Sequence, residues 1–382
     1  MTWKPSQKRM QVVRPGRASR RMAQKSKGSF PANATALLPI PGHPAVTAHH
    51  VPREGQAMPD ETYLVTGAMG CIGAWVLKHL VERNAKAISA DLGTDPVRPR
   101  LIMDDSQIGQ VDWRVLDITD TAAVKALVAE AGVTRIIHLA GLQIPFCRAN
   151  PPLGAAVNVL GTVNMFEAAL ASGTSGLVYA SSLAALGPAS SYDSWPLGDD
   201  VAPDPRTLYG VYKVANEQTA RVYAADAGVG SVGLRPCVVY GVGRDQGVTA
   251  DFAKAILAAV AGVPFHIRSG GTIPMQHASD VARMFIGCAD ADVKQARVCN
   301  MRNDVITVSD FVERLTAIFP GATITYETAE EFPFPADLDD EGLQGLLVDV
   351  PHTPLEEAML QDAAMYRDLL DRDRIDLEQL KQ

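Results

Sequence analysis

Tyr209 and Lys213 stand four residues apart in the run Tyr209-Gly210-Val211-Tyr212-Lys213. On a helix that spacing puts both side chains on one face, where an ammonium can approach a phenol oxygen. A free phenol has a pKa of about 10, and lowering it by about three units takes roughly 4 kcal/mol of differential stabilisation. A lysine cation beside a second positive group can supply that, and Tyr209 then works as a general acid/base near neutral pH. The same pair is commonplace on solvated helix faces, so it gains meaning only from its surroundings.

Those surroundings begin at Thr66-Gly67-Ala68-Met69-Gly70-Cys71-Ile72-Gly73, which follows an apolar run and opens a helical pattern. Glycines at 67, 70 and 73 permit a tight turn, close approach of backbone to a pyrophosphate, and close packing of helix on strand. Free amides at the helix start, around Met69, Cys71 and Ile72, attract the phosphates. Asp91 ends the next apolar run, where a carboxylate can bond ribose hydroxyls and repel an extra 2′-phosphate. The expected cofactor is therefore NAD rather than NADP. Asp117, with Ile118 beside it, either touches the adenine or caps a helix at Thr121.

The positioning elements follow from periodicity. Strands are expected over 62–66, 85–91, 111–116, 135–139, 177–181 and 231–235, and helices over 71–83, 121–131, 151–172 and 207–227. This alternation predicts an α/β fold: a Rossmann-type doubly wound parallel sheet, with helices on both faces. Asn150 before Pro151 and Asp204 before Pro205 read as helix caps. Beyond Pro236 the alternation becomes irregular, with helices expected over 250–261 and 309–318. The division expected is a disordered basic leader (1–58), a nucleotide-binding domain (59–236), and a smaller substrate-binding lobe (237–382) interleaved with it.

Six segments in register carry a family resemblance. They are the glycine motif with Asp91; Ile137-His138-Leu139-Ala140-Gly141; Asn158-Val159-Leu160-Gly161-Thr162; Ala180-Ser181-Ser182; Tyr209 with Lys213; and Leu234-Arg235-Pro236 leading to Tyr240-Gly241-Val242-Gly243-Arg244. From about residue 60 onward the chain resembles an extended short-chain dehydrogenase/reductase, of the NAD-dependent epimerase/dehydratase family. The resemblance implies that Ser182 is the catalytic serine, with Ser181 as runner-up or as a cap of the fifth strand. It implies that Lys213 also holds the nicotinamide ribose, and that Leu139, Ala140, Gly141 and Pro236 line the cofactor. Asn158 either supports Lys213 or is an exposed helical asparagine. His138 and Arg235 read as structural. Gln143 and Ile144 fall where the family's substrate loop lies, and Arg244 and Arg268 are candidates for a carboxylate or phosphate. The resemblance alone implies a homodimer through the helices at Pro151 and Thr207.

Departures narrow the reaction. Sugar-nucleotide 4,6-dehydratases carry an Asp-Glu pair where this chain has Leu183 and Ala184, so dehydration is not expected. Nucleotide-sugar epimerases usually place an Asn at Cys237, and a thiol is a weak donor for a diphosphate. The segment 271–277 also lacks an arginine many of them use. The expected activity is hydride transfer at a secondary alcohol of a carbohydrate-like substrate: a polyol, sugar acid or similar small molecule. The alternatives are a nucleotide-sugar epimerase with tightly held NAD, and an NAD-binding sensor or scaffold without turnover.

Composition bounds the rest. Residues 1–58 hold ten Lys or Arg against Glu54, with seven prolines. Three readings of this leader stay open: a targeting peptide, an electrostatic tether, or translated sequence upstream of a start at Met58, the last being favoured. The remainder carries 25 basic and 42 acidic residues, which argues against nucleic acid as partner. No uninterrupted apolar run approaches a bilayer span, so no membrane partner is expected. Five cysteines without metal-ligand spacing point to free thiols, a cytoplasmic location and no metal.

Overall fold

The computed structural model describes residues 61–328 and 332–381; the basic leader expected over 1–58 lies outside them. Six strands appear where the apolar runs placed them: β1 (Thr62–Thr66), β2 (Lys86–Asp91), β3 (Asp112–Val115), β4 (Arg135–His138), β5 (Gly176–Ala180) and β6 (Ser231–Arg235). Along β1, Leu64 joins one buried cluster, with Ile88, Ile136 and Leu177. Tyr63 and Val65 join the cluster on the other face, with Ala87, Ile137 and Val178. Strands buried on both faces in this way belong to a parallel sheet covered by helices.

Past residue 236 the chain adds β7 (Val238–Tyr240), β8 (Phe265–Ile267), β9 (Thr272–His277), β10 (Ala296–Asn300), β11 (Asp304–Thr307) and β12 (Ile324–Tyr326). The main sheet runs β10-β6-β5-β4-β1-β2-β3, and every neighbouring pair in it is parallel. The order reverses at β1 and β4, so the crevice outside their carboxyl ends is the place for a ligand. Two small sheets, β11-β9-β7 and β12-β8, complete the C-terminal half. That half interleaves with the first through β10, which pairs with β6, and through the helix Ala278–Asp290, which packs on the helix Cys71–Glu82. Neither this helix nor Leu355–Asp371 was expected from the sequence.

Several local expectations are corrected. The cap of the helix Leu208–Ala227 is Thr207, whose hydroxyl accepts from the Gly210 amide at 3.0 Å. Asp204 is engaged instead by Arg206 and Ser191. Asp120, not Asp117, caps the helix Thr121–Glu130. Asn150 does cap its helix, accepting from the Leu153 amide at 3.2 Å. The long helix at residues 151–172 is interrupted: Pro151–Ala155 and Gly161–Ser172 are α-helical, while Ala156–Leu160 is a π-helical turn. By length and composition this helix could cross a bilayer, which the search for uninterrupted apolar runs overlooked; half of that window is buried within the fold.

Candidate active site

The turn after β1 is shaped by what glycine lacks. A Cβ on Gly67, where φ is +66°, would sit 2.6 Å from the Ala140 amide nitrogen, and one on Gly73 would lie 2.4 Å from the Gly67 carbonyl oxygen. The glycine turn thus lies directly on the Leu139–Ala140 backbone after β4, and the following helix closes down on the turn. Gly70 caps that helix without a side-chain hydrogen bond, and the first turn holds no acidic residue. Its amides and positive end are left for an anion. Burial pushes the Cys71 thiol up to about 12, so it stays neutral there.

Asp91, at the end of β2, accepts from the Met69 amide at 3.1 Å and the Leu92 amide at 2.8 Å. The carboxylate is therefore fixed against the glycine turn. Asp117 is exposed and bonds the Thr119 amide and hydroxyl. Ile118 is buried, its side chain against Gly161 and its carbonyl accepting from Asn164.

A chain of hydrogen bonds runs behind the crevice. Thr162 donates its hydroxyl proton to the Asn158 carbonyl at 2.8 Å, so its oxygen accepts from His138 Nε2 at 3.1 Å. His138 Nδ1 is then the acceptor for the Thr66 hydroxyl at 2.7 Å, and the Thr66 oxygen takes the Ala140 amide at 3.4 Å. Burial, and then the Lys213 charge, hold the His138 pKa down to about 3, so the ring is neutral and structural. Asn158 sits in the π-turn and is fully buried, not exposed. Its amide nitrogen donates to the carbonyls of Leu142 and Gly154, and Asn216 donates to its carbonyl at 2.9 Å. A π-turn is a common device at functional sites, and here it brings Asn158 Oδ1 to 2.8 Å from the place a Cβ on Gly141 would occupy. That oxygen is buried and has no hydrogen-bond partner.

Lys213 reaches the same place: its Nζ lies 3.5 Å from the Cβ position of Gly141. It is buried and donates to the Ala180 carbonyl at 2.6 Å. Burial lowers its pKa to about 8. Nζ is 5.4 Å from the centroid of the Tyr209 ring, and the Ser182 hydroxyl lies near the same phenol. Burial raises the phenol pKa; the Ser182 hydroxyl and then the Arg244 charge draw it back. The lowering expected from Lys213 is not what this arrangement provides, because the ammonium is turned onto a carbonyl. Ser182 sits at the carboxyl end of β5, beginning the turn Leu183–Ala185, and its oxygen accepts from the Ala184 amide at 3.1 Å. Pro236 accepts from the Leu183 amide at 3.1 Å. Ser181 neither caps the strand nor faces Tyr209; its hydroxyl is bonded to buried Glu217.

Glu217 and Arg98 are participants that sequence reasoning missed. Glu217 forms a two-pronged pair with buried Arg235 at 2.8 Å. It lies one turn beyond Lys213, so helical spacing from Tyr209 would have found it. Arg98 donates to the Met69 carbonyl at 3.0 Å and clasps Asp245 through two nitrogens, a pairing across 147 residues that no local pattern signals.

Of the expected substrate contacts, Gln143 and Arg244 come together: Gln143 Oε1 lies 3.2 Å, and an Arg244 Nη 3.9 Å, from the Cβ position of Gly247. Arg268 is paired with buried Asp251 at 2.7 and 2.8 Å. The Cys237 thiol is directed at the carbonyls of Met301 and Arg235, and its amide donates to Gln276. All five cysteines are free thiols, and the described residues hold no metal-ligating cluster.

Comparison with known proteins places this geometry. A family model described as the NAD dependent epimerase/dehydratase family matches residues 63–301. The human 3 beta-hydroxysteroid dehydrogenase type 7 is 30% identical over 50% of this chain and 53% of its own length. The UDP-glucose 4-epimerase of Mycolicibacterium smegmatis is 32% identical over 51% of this chain and 63% of its own. The chain thus spans little more than half the length of these curated relatives. The crystal structure of the Thermotoga maritima UDP-glucose 4-epimerase with UDP-glucose superposes with a TM-score of 0.70 and 20% identity, covering 81% of this chain and 99% of that one. At that identity the likeness carries the fold alone.

Proposed function

Because the chain belongs to the NAD dependent epimerase/dehydratase family, we propose that it is an oxidoreductase or epimerase that transfers hydride at a secondary alcohol of a carbohydrate-like substrate. The observation that carries this reading is Gly141, where the Lys213 ammonium and the unpartnered Asn158 Oδ1 meet at the edge of the glycine cradle. An arrangement that excludes a side chain yet presents a cation and a bare acceptor fits the hydroxyls of a nicotinamide ribose. The pyrophosphate fits the open helix start behind Gly70, and the adenosine ribose fits Asp91.

NAD, when bound, supplies the hydride acceptor and, in its oxidised form, a positive ring. Ser182 holds the carbinol oxygen, and Tyr209 takes its proton as the carbon gives up hydride, leaving a carbonyl. Lys213 fixes the ribose. Since burial holds the phenol high in the chain by itself, the charge that makes Tyr209 a base comes with the oxidised cofactor and from Arg244. Gln143 and Arg244 contact the substrate, with Cys237 at the rim.

We further place the protein in the cytoplasm, as a homodimer without nucleic-acid or membrane partners. The free thiols, the acidic body, and exposed Leu153, Leu160, Leu208 and Val211 on two adjacent helices support this. Incubating the protein with NAD and a panel of alcohols tests the activity. Steady accumulation of free NADH identifies a dehydrogenase; a stereoisomeric product without free NADH identifies an epimerase. Tight NAD binding with neither product leaves the sensor reading and refutes ours.

A further inference from the structure

Most buried or half-buried arginines here are matched to carboxylates: Arg83 to Asp290, Arg98 to Asp245, Arg135 to Glu61 and Arg235 to Glu217. Arg244 is not. It is half-buried, and its one side-chain partner among the described residues is the neutral Thr249 hydroxyl at 2.9 Å. Its Nε is buried with no partner at all. The neighbouring carboxylate, Asp245, is held by two nitrogens of Arg98. Leaving a guanidinium short of hydrogen bonds in a partly desolvated place is unfavourable unless a further group completes it.

The position of Arg244 says what that group is. Arg244 follows Val242, whose carbonyl accepts from the Trp75 indole at 3.0 Å on the helix after the glycine turn, and its charge bears on both the Cys71 thiol and the Tyr209 phenol. Gln143, from the segment after β4, brings its side-chain amide to the same few ångströms around Gly247. With one Nη engaged by Thr249, the guanidinium keeps a planar edge that includes Nε, the geometry that meets the two oxygens of a carboxylate. A diphosphate would need several donors, whereas the Cys237 amide is bonded to Gln276 and its thiol is directed at carbonyls.

We infer that Arg244, assisted by Gln143, binds a carboxylate of the substrate, so that the alcohol oxidised at Tyr209 belongs to a hydroxy acid. This rests on the hydride-transfer reading above and narrows its substrate to an anionic one. The carboxylate is a handle and takes no part in the electron balance: hydride leaves the carbinol carbon, and the hydroxyl proton goes to Tyr209.

The test compares wild type with Arg244→Gln and Arg244→Lys, using NAD and a panel of sugar acids, the matching neutral sugar amides and polyols, and sugar phosphates. Wild type is expected to prefer one or more sugar acids over their amides. Arg244→Gln should lower kcat/KM for the acid about 10- to 100-fold more than for the amide, the loss of a charge-assisted contact beyond any effect on Tyr209 that both substrates share. Arg244→Lys should recover part of the loss. NAD titration of both variants, with unchanged affinity, shows that they are folded. Equal losses for acid and amide, or a wild-type preference for neutral or phosphorylated alcohols, overturns the carboxylate assignment and leaves the hydride-transfer reading standing. No turnover of any alcohol by NAD-loaded wild type overturns both.

Discussion

The Lys213 ammonium lies 5.4 Å from the centroid of the Tyr209 ring, yet its hydrogen bond goes to the Ala180 carbonyl at 2.6 Å. The helical spacing of the two residues delivers proximity without a direct hydrogen bond between them. Lysine is an anchored charge whose Nζ lies 3.5 Å from the Cβ position of Gly141.

The glycine cradle is the least tolerant part of this account. Gly73→Ala would put a methyl group 2.4 Å from the Gly67 oxygen and 2.7 Å from the Ala68 Cα, both backbone atoms that cannot swing aside. Overpacking of this kind costs about 1–3 kcal/mol. We expect a lowered Tm and at least a roughly tenfold loss in NAD affinity, since about 1.4 kcal/mol is a tenfold change. Calorimetry and NAD titration read both, and wild-type affinity in the variant would refute the cradle.

Asp91 is expected to exclude NADP. Its carboxylate is fixed by the Met69 and Leu92 amides, so a 2′-phosphate would meet an immobile like charge. Asp91→Ser should move the ratio of NADP to NAD dissociation constants toward NADP by about tenfold or more, a shift of roughly 1.4 kcal/mol. A ratio unchanged from wild type would remove Asp91 from the ribose.

The buried Arg235–Glu217 pair should be worth little as a pair and much when broken. Both side chains are 2% exposed, so Arg235→Met leaves a carboxylate without its cation in a desolvated place. The expected cost in urea denaturation is about 3–5 kcal/mol, and the double variant with Glu217→Leu should recover part of it. Equal losses in the single and double variants would contradict this.

His138 gives a pH dependence whose sign follows from its depressed pKa. An unfolded histidine titrates near 6.5, whereas the folded ring stays neutral down to about 3. As pH falls through that window the unfolded chain binds the proton first, so stability drops, by up to about 1.4 kcal/mol for each pH unit. His138→Gln removes that contribution, and its stability should fall less steeply than wild type between about pH 6 and 4. Parallel curves would mean that His138 is not the buried neutral link.

The first six strands and the glycine turn were legible because the strands are short runs bounded by helical periodicity, all but the edge strand β3 largely buried on both faces. The π-turn was not. Nothing in Ala156-Val157-Asn158-Val159-Leu160 demands an extra residue per turn; contacts with Leu142, Thr162 and Asn216 sustain it. The three-residue strands β7, β8 and β12 are too short for alternation to register. Asp204 and Thr207 are both plausible caps in sequence, and only the capture of Asp204 by Arg206 and Ser191 settles the choice. Ser181 and Ser182 are told apart in the sequence by resemblance alone; Glu217, which takes the Ser181 hydroxyl, lies 36 residues further on.

Turnover by Tyr209→Phe, measured beside its NAD affinity, tests the central claim most directly. Phenylalanine keeps the ring and removes only the oxygen that takes the proton. With an alcohol that wild type oxidises, we expect NAD binding to persist while turnover falls about 10²- to 10⁴-fold, the usual worth of a positioned acid/base. Oxidation at the wild-type rate in that variant would contradict the role assigned to Tyr209 and the mechanism built on it.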